Sequence, residues 1–188
     1  INAALGRLTR ANHDRRRRCQ TEGAGAGDDQ DRHRRHHAAT LRSTHDLRPG
    51  DEVLTFVNRN LEPMRGFHVF MRALPAILAQ RPHLQVLVVG ESEGTSYGPP
   101  PRNGGHWKDE MLRELGGQLD LNRVHFLGKL PFDDYLKVLQ VSAVHLYLTY
   151  PFILSWSLLE AMSAGCLLVA SDTAPVREVI DHEEQGFL

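Results

Sequence analysis

Two arginines stand six residues apart in the run Asn58-Arg59-Asn60-Leu61-Glu62-Pro63-Met64-Arg65-Gly66, just after an apolar stretch and just before a helical pattern. Guanidinium groups and unpaired backbone N–H groups at a helix start converge on an anion, most naturally a phosphate. The residues alone equally allow a surface ion pair of Arg59 or Arg65 with Glu62 or a neighbouring acid. A second constellation runs from Tyr150-Pro151-Phe152-Ile153-Leu154-Ser155-Trp156 into Ser157-Leu158-Leu159-Glu160-Ala161-Met162. There the chain turns into a helix whose first N–H groups lack intrahelical partners, with the Glu160 carboxylate one to two turns further on. Such a carboxylate accepts hydrogen bonds from sugar hydroxyls, or it simply faces solvent. Asp172, Thr173 and Ala174 suit the phosphate side of a cleft or an ordinary strand-to-helix turn. His106-Trp107 is placed to approach a ligand, although Trp107 reads better as an anchor of its helix, and His145, inside an apolar run, reads as a packed histidine.

These side chains need a scaffold, which begins at Asp51. Residues 53–57 (Val-Leu-Thr-Phe-Val) form a strand pattern, and Phe67, Phe70, Met71, Leu74, Ile77 and Leu78 then recur at helical spacing to make one apolar face. Arg81-Pro82 ends that helix. The alternation repeats: a strand over 84–89 stopping at Gly90, a Gly/Pro-rich loop over 91–105, and a helix over 107–115. Next come a strand over 124–127 stopping at Gly128, a short helix marked by Phe132, Tyr135, Leu136 and Leu139, and a strand over 144–148. A helix over 156–164, a strand over 166–170 and a short helix over 176–180 complete the series.

Strands apolar on both faces, separated by amphipathic helices, predict an α/β fold: a Rossmann-like parallel sheet with helices on both faces. Ligands bind such sheets beyond the carboxyl ends of the strands, so the loops starting at Asn58, Gly90, Gly128, Thr149 and Ser171 form one rim. Gly186-Phe187-Leu188 reads as the opening of another strand, and the domain, 46–188, is expected to be cut short at its C-terminus.

The chain has 188 residues, is 41% hydrophobic and 24% charged, and carries a formal net charge of −1 that is unevenly spread. Residues 1–45 have a balance of +5 and five of the eleven histidines, and the rest has −6. Arg15-Arg16-Arg17-Arg18, the Gly/Ala run 23–27 and Arg32-His33-Arg34-Arg35-His36-His37 bring almost no apolar bulk, which predicts a disordered basic segment. Interspersed Asp28, Asp29 and Asp31, and the lack of aromatic residues, argue against a nucleic-acid arm, and the histidines lack a zinc spacing. A mis-started or out-of-frame N-terminus is the alternative reading of that composition. No apolar run reaches the roughly 18–20 residues of a membrane helix and no secretory leader opens the sequence. Cys19 and Cys166 sit in unlike surroundings, which suits a reducing compartment, and cytoplasmic residence is the expectation.

Taken in order, Arg59…Arg65-Gly66-Phe67, Val88-Val89-Gly90, Val124-His125-Phe126-Leu127-Gly128, Ser157-Leu158-Leu159-Glu160-Ala161-Met162-Ser163-Ala164-Gly165 and Pro175-Val176-Arg177-Glu178-Val179-Ile180 resemble a known pattern. They are similar to the C-terminal, donor-binding domain of the GT-B retaining glycosyltransferases of family 4, or group 1, over residues 50–188. The resemblance implies transfer of a sugar from a nucleotide sugar, with retention of anomeric configuration and no essential metal or other cofactor. It places Arg59 and Arg65 on the donor diphosphate as the groups that stabilise the leaving charge, with Arg65 standing where the family has lysine. It assigns Glu160, the second glutamate of an E-x7-E motif, to the nucleotide ribose, and the first glutamate falls on Phe152. Backbone amides of Ile153, Leu154 and Ser155 are left to hold the sugar. Lys129 and Leu130 match the base-contacting region, while Gly90 and Thr173 lie on the donor side of the rim. The partners implied are a nucleotide-sugar donor, an acceptor whose site lies in a first GT-B domain absent from this sequence, and peripheral membrane association of the parent enzyme. No specific nucleic acid is expected, and the chain alone is expected to be inactive. A nucleotide-binding module without catalysis is the alternative.

Overall fold

The computed structural model describes residues 51–188. The expectations for the basic segment 1–45, its histidines and Cys19 fall outside the described residues. Among the described residues there are six strands: β1 (Glu52–Asn60), β2 (Leu84–Glu91), β3 (Val124–Gly128), β4 (Val144–Tyr147), β5 (Leu167–Ala170) and β6 (Gly186–Phe187). They form one parallel sheet in the order β3-β2-β1-β4-β5-β6. The helices are α1 (Phe67–Gln80), α2 (Trp107–Leu115), α3 (Phe132–Val141), α4 (Trp156–Ser163) and the single turn α5 (Ala174–Arg177).

The apolar pattern accounts for this arrangement. In β1 Val53 to Val57 are all buried, as all four residues of β4 are, so the two central strands have no solvent face. Helix α1 buries Phe67, Phe70, Met71, Leu74, Ile77 and Leu78, the face expected from their spacing. The Phe70 ring stacks on Phe56 of β1 with centroids 4.3 Å apart. Burial of each such side chain stabilises the fold by about 1.5–3 kcal/mol relative to exposure. Arg72 of α1 pairs with Glu114 of α2, and Tyr135 of α3 bonds Glu160 of α4, so two helix pairs cover opposite faces of the sheet.

Strand order reverses between β1 and β4, the point at which sheets of this class form a crevice beyond the strand ends. Two boundaries differ from expectation near this crevice. The ladder of β1 with β2 resumes after an irregularity and pairs Asn60 with Glu91, so Asn58 and Arg59 lie in the strand rather than in a loop. Helix α5 begins at Ala174 instead of residue 176, because Pro175 presets the first helical turn and the Thr173 carbonyl accepts from the Val176 and Arg177 amides. Trp107 anchors a loop more than its helix: its indole N–H donates to the Pro99 carbonyl at 3.0 Å.

Beneath the crevice the core holds a polar triad. His145 is fully buried, its Nδ1 is 2.8 Å from Thr55 Oγ1, and Thr55 Oγ1 is 2.8 Å from Ser142 Oγ. The His145 Nε2 has no hydrogen-bond partner. Burial disfavours the imidazolium and lowers its pKa from 6.5 to about 4. The unfolded chain then binds a proton that the folded chain refuses between those values, so stability is intact above pH 6.5 and falls as the pH drops toward 4. Urea unfolding across that window is expected to lose up to about 3 kcal/mol, and His145→Gln is expected to flatten the slope.

Candidate functional site

The crevice is closed by one tight connection. After β1, Leu61 is buried with its N–H bonded to the Glu91 carbonyl at 2.9 Å, and Pro63–Arg65 form a single 3-10 turn. Gly66 follows with φ 71°, a left-handed conformation that an L side chain resists. A Cβ on Gly66 would stand 2.2 Å from the Leu148 Cβ, so only glycine lets this turn lie against the end of β4. The Tyr150 amide donates to the Met64 carbonyl at 3.3 Å and fastens the two rim segments together.

This turn delivers Arg65 into the crevice with only 9% exposure. Its Nη1 donates to Thr149 Oγ1 at 3.2 Å, and its Cζ lies 5.0 Å from the Tyr97 ring centroid and 5.5 Å from that of Phe152. Arg72, Arg81, Arg113, Arg123 and Arg177 each meet a carboxylate, whereas Arg65 meets none among the described residues. Glu62, the nearest acid in sequence, is turned elsewhere. Its carboxylate is fully buried and Oε2 accepts the amides of Ser96, Tyr97 and Gly98 at 3.1–3.2 Å. The surface ion pair that the residue types allowed is therefore not made. Arg59 is exposed at the end of β1 and also has no carboxylate partner among the described residues.

The other expected residues are spread over several elements. Glu160 accepts a 2.6 Å hydrogen bond from the Tyr135 hydroxyl through Oε2. Burial, with this carboxylate beside it, pushes the Tyr135 phenol well above its usual range, so it stays a donor. Ile153 and Leu154 lie in the turn before α4, but the Ser155 amide is not free, because it donates to the Tyr147 hydroxyl at 3.1 Å. The Ser155 hydroxyl instead shares a 2.6 Å bond with Ser157. Gly90, with φ 151°, packs where a Cβ would be 2.6 Å from the Asn58 carbonyl oxygen. The Thr173 Oγ1 is buried and has no partner. Asp172 is bound to Arg177, whose guanidinium holds its carboxyl below the usual range. Lys129 and Leu130 follow β3, the strand at the sheet edge, and are removed from the β1–β4 crevice by the width of β2.

Tyr97, Glu62 as a loop holder, Thr149 and Tyr135 escaped the sequence reading. The signal available for the first was Ser96-Tyr97-Gly98, an aromatic residue inside a Gly/Pro-rich loop. Among the described residues no group of three or more His, Cys, Asp or Glu is arranged to hold a metal ion, and no helix is long and apolar enough to cross a membrane.

Comparison with known proteins agrees with this fold. Residues 51–188 match the family described as glycosyl transferases group 1. The phosphatidyl-myo-inositol mannosyltransferase of Mycolicibacterium smegmatis is 32% identical over 145 residues, which cover 75% of this chain and 32% of that protein. A D-inositol 3-phosphate glycosyltransferase of Rhodococcus erythropolis is 27% identical over 165 residues, 86% of this chain and 35% of that one. The chain thus spans about a third of the length of these curated relatives. Among solved structures, the C-terminal domain of a glycosyl transferase group 1 family protein from Francisella tularensis superposes with a TM-score of 0.60 at 18% identity, covering 78% of this chain and 72% of that domain. Sucrose-phosphate synthase from Thermosynechococcus elongatus gives a TM-score of 0.56 at 25% identity over 80% of this chain and 35% of that one.

The Gly66 turn is the mechanical support of Arg65. Gly66→Ala combines a left-handed φ with an overlap against Leu148 and is expected to destabilise the domain by about 2–4 kcal/mol in chemical denaturation.

Proposed function

We propose, because this chain belongs to the glycosyl transferases group 1 family, that the crevice between β1 and β4 holds the diphosphate of a nucleotide-sugar donor. One observation carries this reading: Arg65 is a buried cation with no carboxylate beside it among the described residues. A buried charge without a partner is strongly disfavoured, and an anionic ligand supplies the partner. Arg59, exposed near the end of β1, offers a second cation to the second phosphate.

In this reading the two guanidinium groups stabilise the charge that builds on the departing diphosphate while the sugar moves to its acceptor with retention of configuration. The work is done by preorganised electrostatics. Arg65 needs little reorganisation, being held by Thr149 and two rings before any ligand arrives. Glu160, with one oxygen held by Tyr135 and the other left over, is oriented for ribose hydroxyls. Ile153 and Leu154 offer amides to the sugar, and Lys129 and Leu130 lie toward the base. Thr173, whose buried hydroxyl lacks a partner, is a further contact on the donor side. The relatives' names make a nucleotide-activated mannose the first donor to test. The acceptor is assigned to a partner domain, and cytoplasmic residence to the parent enzyme, which a mannosyltransferase acting on phosphatidyl-myo-inositol would bring to a membrane surface.

A second reading, nucleotide binding without transfer, is favoured by Phe152. The residue stands at the first position of the E-x7-E spacing and lies on Arg65 as an aromatic ring. The two readings differ in whether sugar transfer follows binding once the acceptor-binding half is supplied.

Calorimetric titration of the full chain with GDP, UDP, ADP and their sugar conjugates, with and without magnesium, tests the donor site. One nucleoside diphosphate is expected to bind, and Arg59→Ala with Arg65→Ala to abolish measurable binding. Glu160→Ala is expected to weaken the same ligand by about 1–3 kcal/mol, by leaving ribose hydroxyls unpaired. Unchanged affinity in the double arginine variant would remove the crevice from consideration.

A further inference from the structure

The β2–α2 loop, residues 92–106, is tied to the first rim connection by a chain of polar contacts. Asn60 Nδ2 donates to the Glu93 carbonyl at 2.9 Å, and the Ser96 hydroxyl donates to Asn60 Oδ1. Glu62 Oε2 gathers three successive amides, those of Ser96, Tyr97 and Gly98. Three consecutive N–H groups aimed at one anionic oxygen form a nest of the kind that commonly cradles a phosphate, filled here by the protein's own carboxylate. Gly98 packs closely here: a Cβ there would stand 3.2 Å from Met64 Cγ and 3.6 Å from Glu62 Oε2. Trp107 closes the far end of the loop on Pro99.

The one aromatic side chain that the nest fixes is Tyr97. Its ring lies 5.2 Å from that of Phe152, and the Arg65 Cζ stands over both rings, 5.0 and 5.5 Å from their centroids, so the two rings meet the guanidinium from one side. Tyr97 and Phe152 remain 50% and 42% exposed, so neither is buried for the sake of the core. A cation held against ring faces keeps its in-plane N–H groups for other acceptors. Of these only Nη1 is engaged, on Thr149, among the described residues.

We propose that Tyr97 and Phe152 are positioning residues for Arg65, held in place by the Glu62 carboxylate through the β2–α2 loop. The rings back the guanidinium from one side and leave its other side open toward a diphosphate. This inference rests on the donor-site reading above and extends it: the aromatic ring at position 152 serves the phosphate end of the ligand by fixing an arginine, in place of a carboxylate that would neutralise it. An acid at 152 would offer Arg65 an ion pair, whereas an aromatic ring restrains it and leaves its charge uncompensated.

A double-mutant cycle in the full chain tests the proposal, with pyrophosphate as a base-free probe in an NMR titration and the thermal midpoint recorded for every variant. Arg65→Ala is expected to weaken pyrophosphate about ten- to a hundredfold. Tyr97→Leu and Phe152→Leu are each expected to weaken it about two- to thirtyfold when Arg65 is present, and to change nothing in the Arg65→Ala background. Equal losses in both backgrounds, or no loss in either, would overturn the positioning role while leaving the donor site intact. No effect of Arg65→Ala itself would overturn the donor-site reading and this inference together. The Glu62 contribution has its own readout: Glu62→Gln is expected to speed hydrogen exchange at the Ser96, Tyr97 and Gly98 amides, and unchanged protection there would remove Glu62 from the arrangement.

Discussion

Arg65 is nearly buried, and no carboxylate answers its charge among the described residues. Leaving a guanidinium in that state is expensive unless its hydrogen bonds are met and its position is over-determined. The surrounding structure does both in part. Thr149 takes one N–H, the Tyr97 and Phe152 rings lie against the guanidinium, and Gly66 lets the turn that carries Arg65 press against the end of β4. Glu62, the acid best placed in sequence to neutralise it, is diverted to three loop amides. Charge is thereby stored at the reversal of strand order, the place where this class of sheet receives ligands.

The scaffold was legible because its signals are periodic. The six apolar positions of α1 sit at helical spacing and all six are buried, and the runs around Phe56, Val88 and Leu146 are apolar on both faces, as a covered parallel sheet demands. Boundaries were harder. Asn58, Arg59 and Asn60 are polar and adjoin Pro63, so they read as loop, yet the ladder with β2 extends through them to Glu91. That extension depends on backbone pairing across strands, which side-chain patterning does not report.

The site was legible in its cations and obscure in their environment. Arg59 stands near the end of β1 and Arg65 in the turn that follows it, but whether Glu62 would neutralise them turned on a loop more than thirty residues away. Residue types could not foretell that Ser96, Tyr97 and Gly98 would present three amides to one carboxylate oxygen. The Ser155 amide makes the same point in reverse: its position before α4 marks it as a free donor, and the Tyr147 hydroxyl from β4 claims it. Contacts between residues distant in sequence decide which polar groups are left for a ligand, and these contacts carry no local signature. Phe152 belongs with these: its type alone does not tell that its ring stands 5.5 Å from the Arg65 Cζ.

The most direct measurement is a crystal structure of the full chain with the nucleoside diphosphate that binds. The account predicts diphosphate oxygens within hydrogen-bond distance of the open side of Arg65, with Tyr97 and Phe152 still against the guanidinium and Glu62 still on the 96–98 amides. A diphosphate bound elsewhere on the sheet, or Arg65 swung out to a carboxylate with the nucleotide in place, would contradict it.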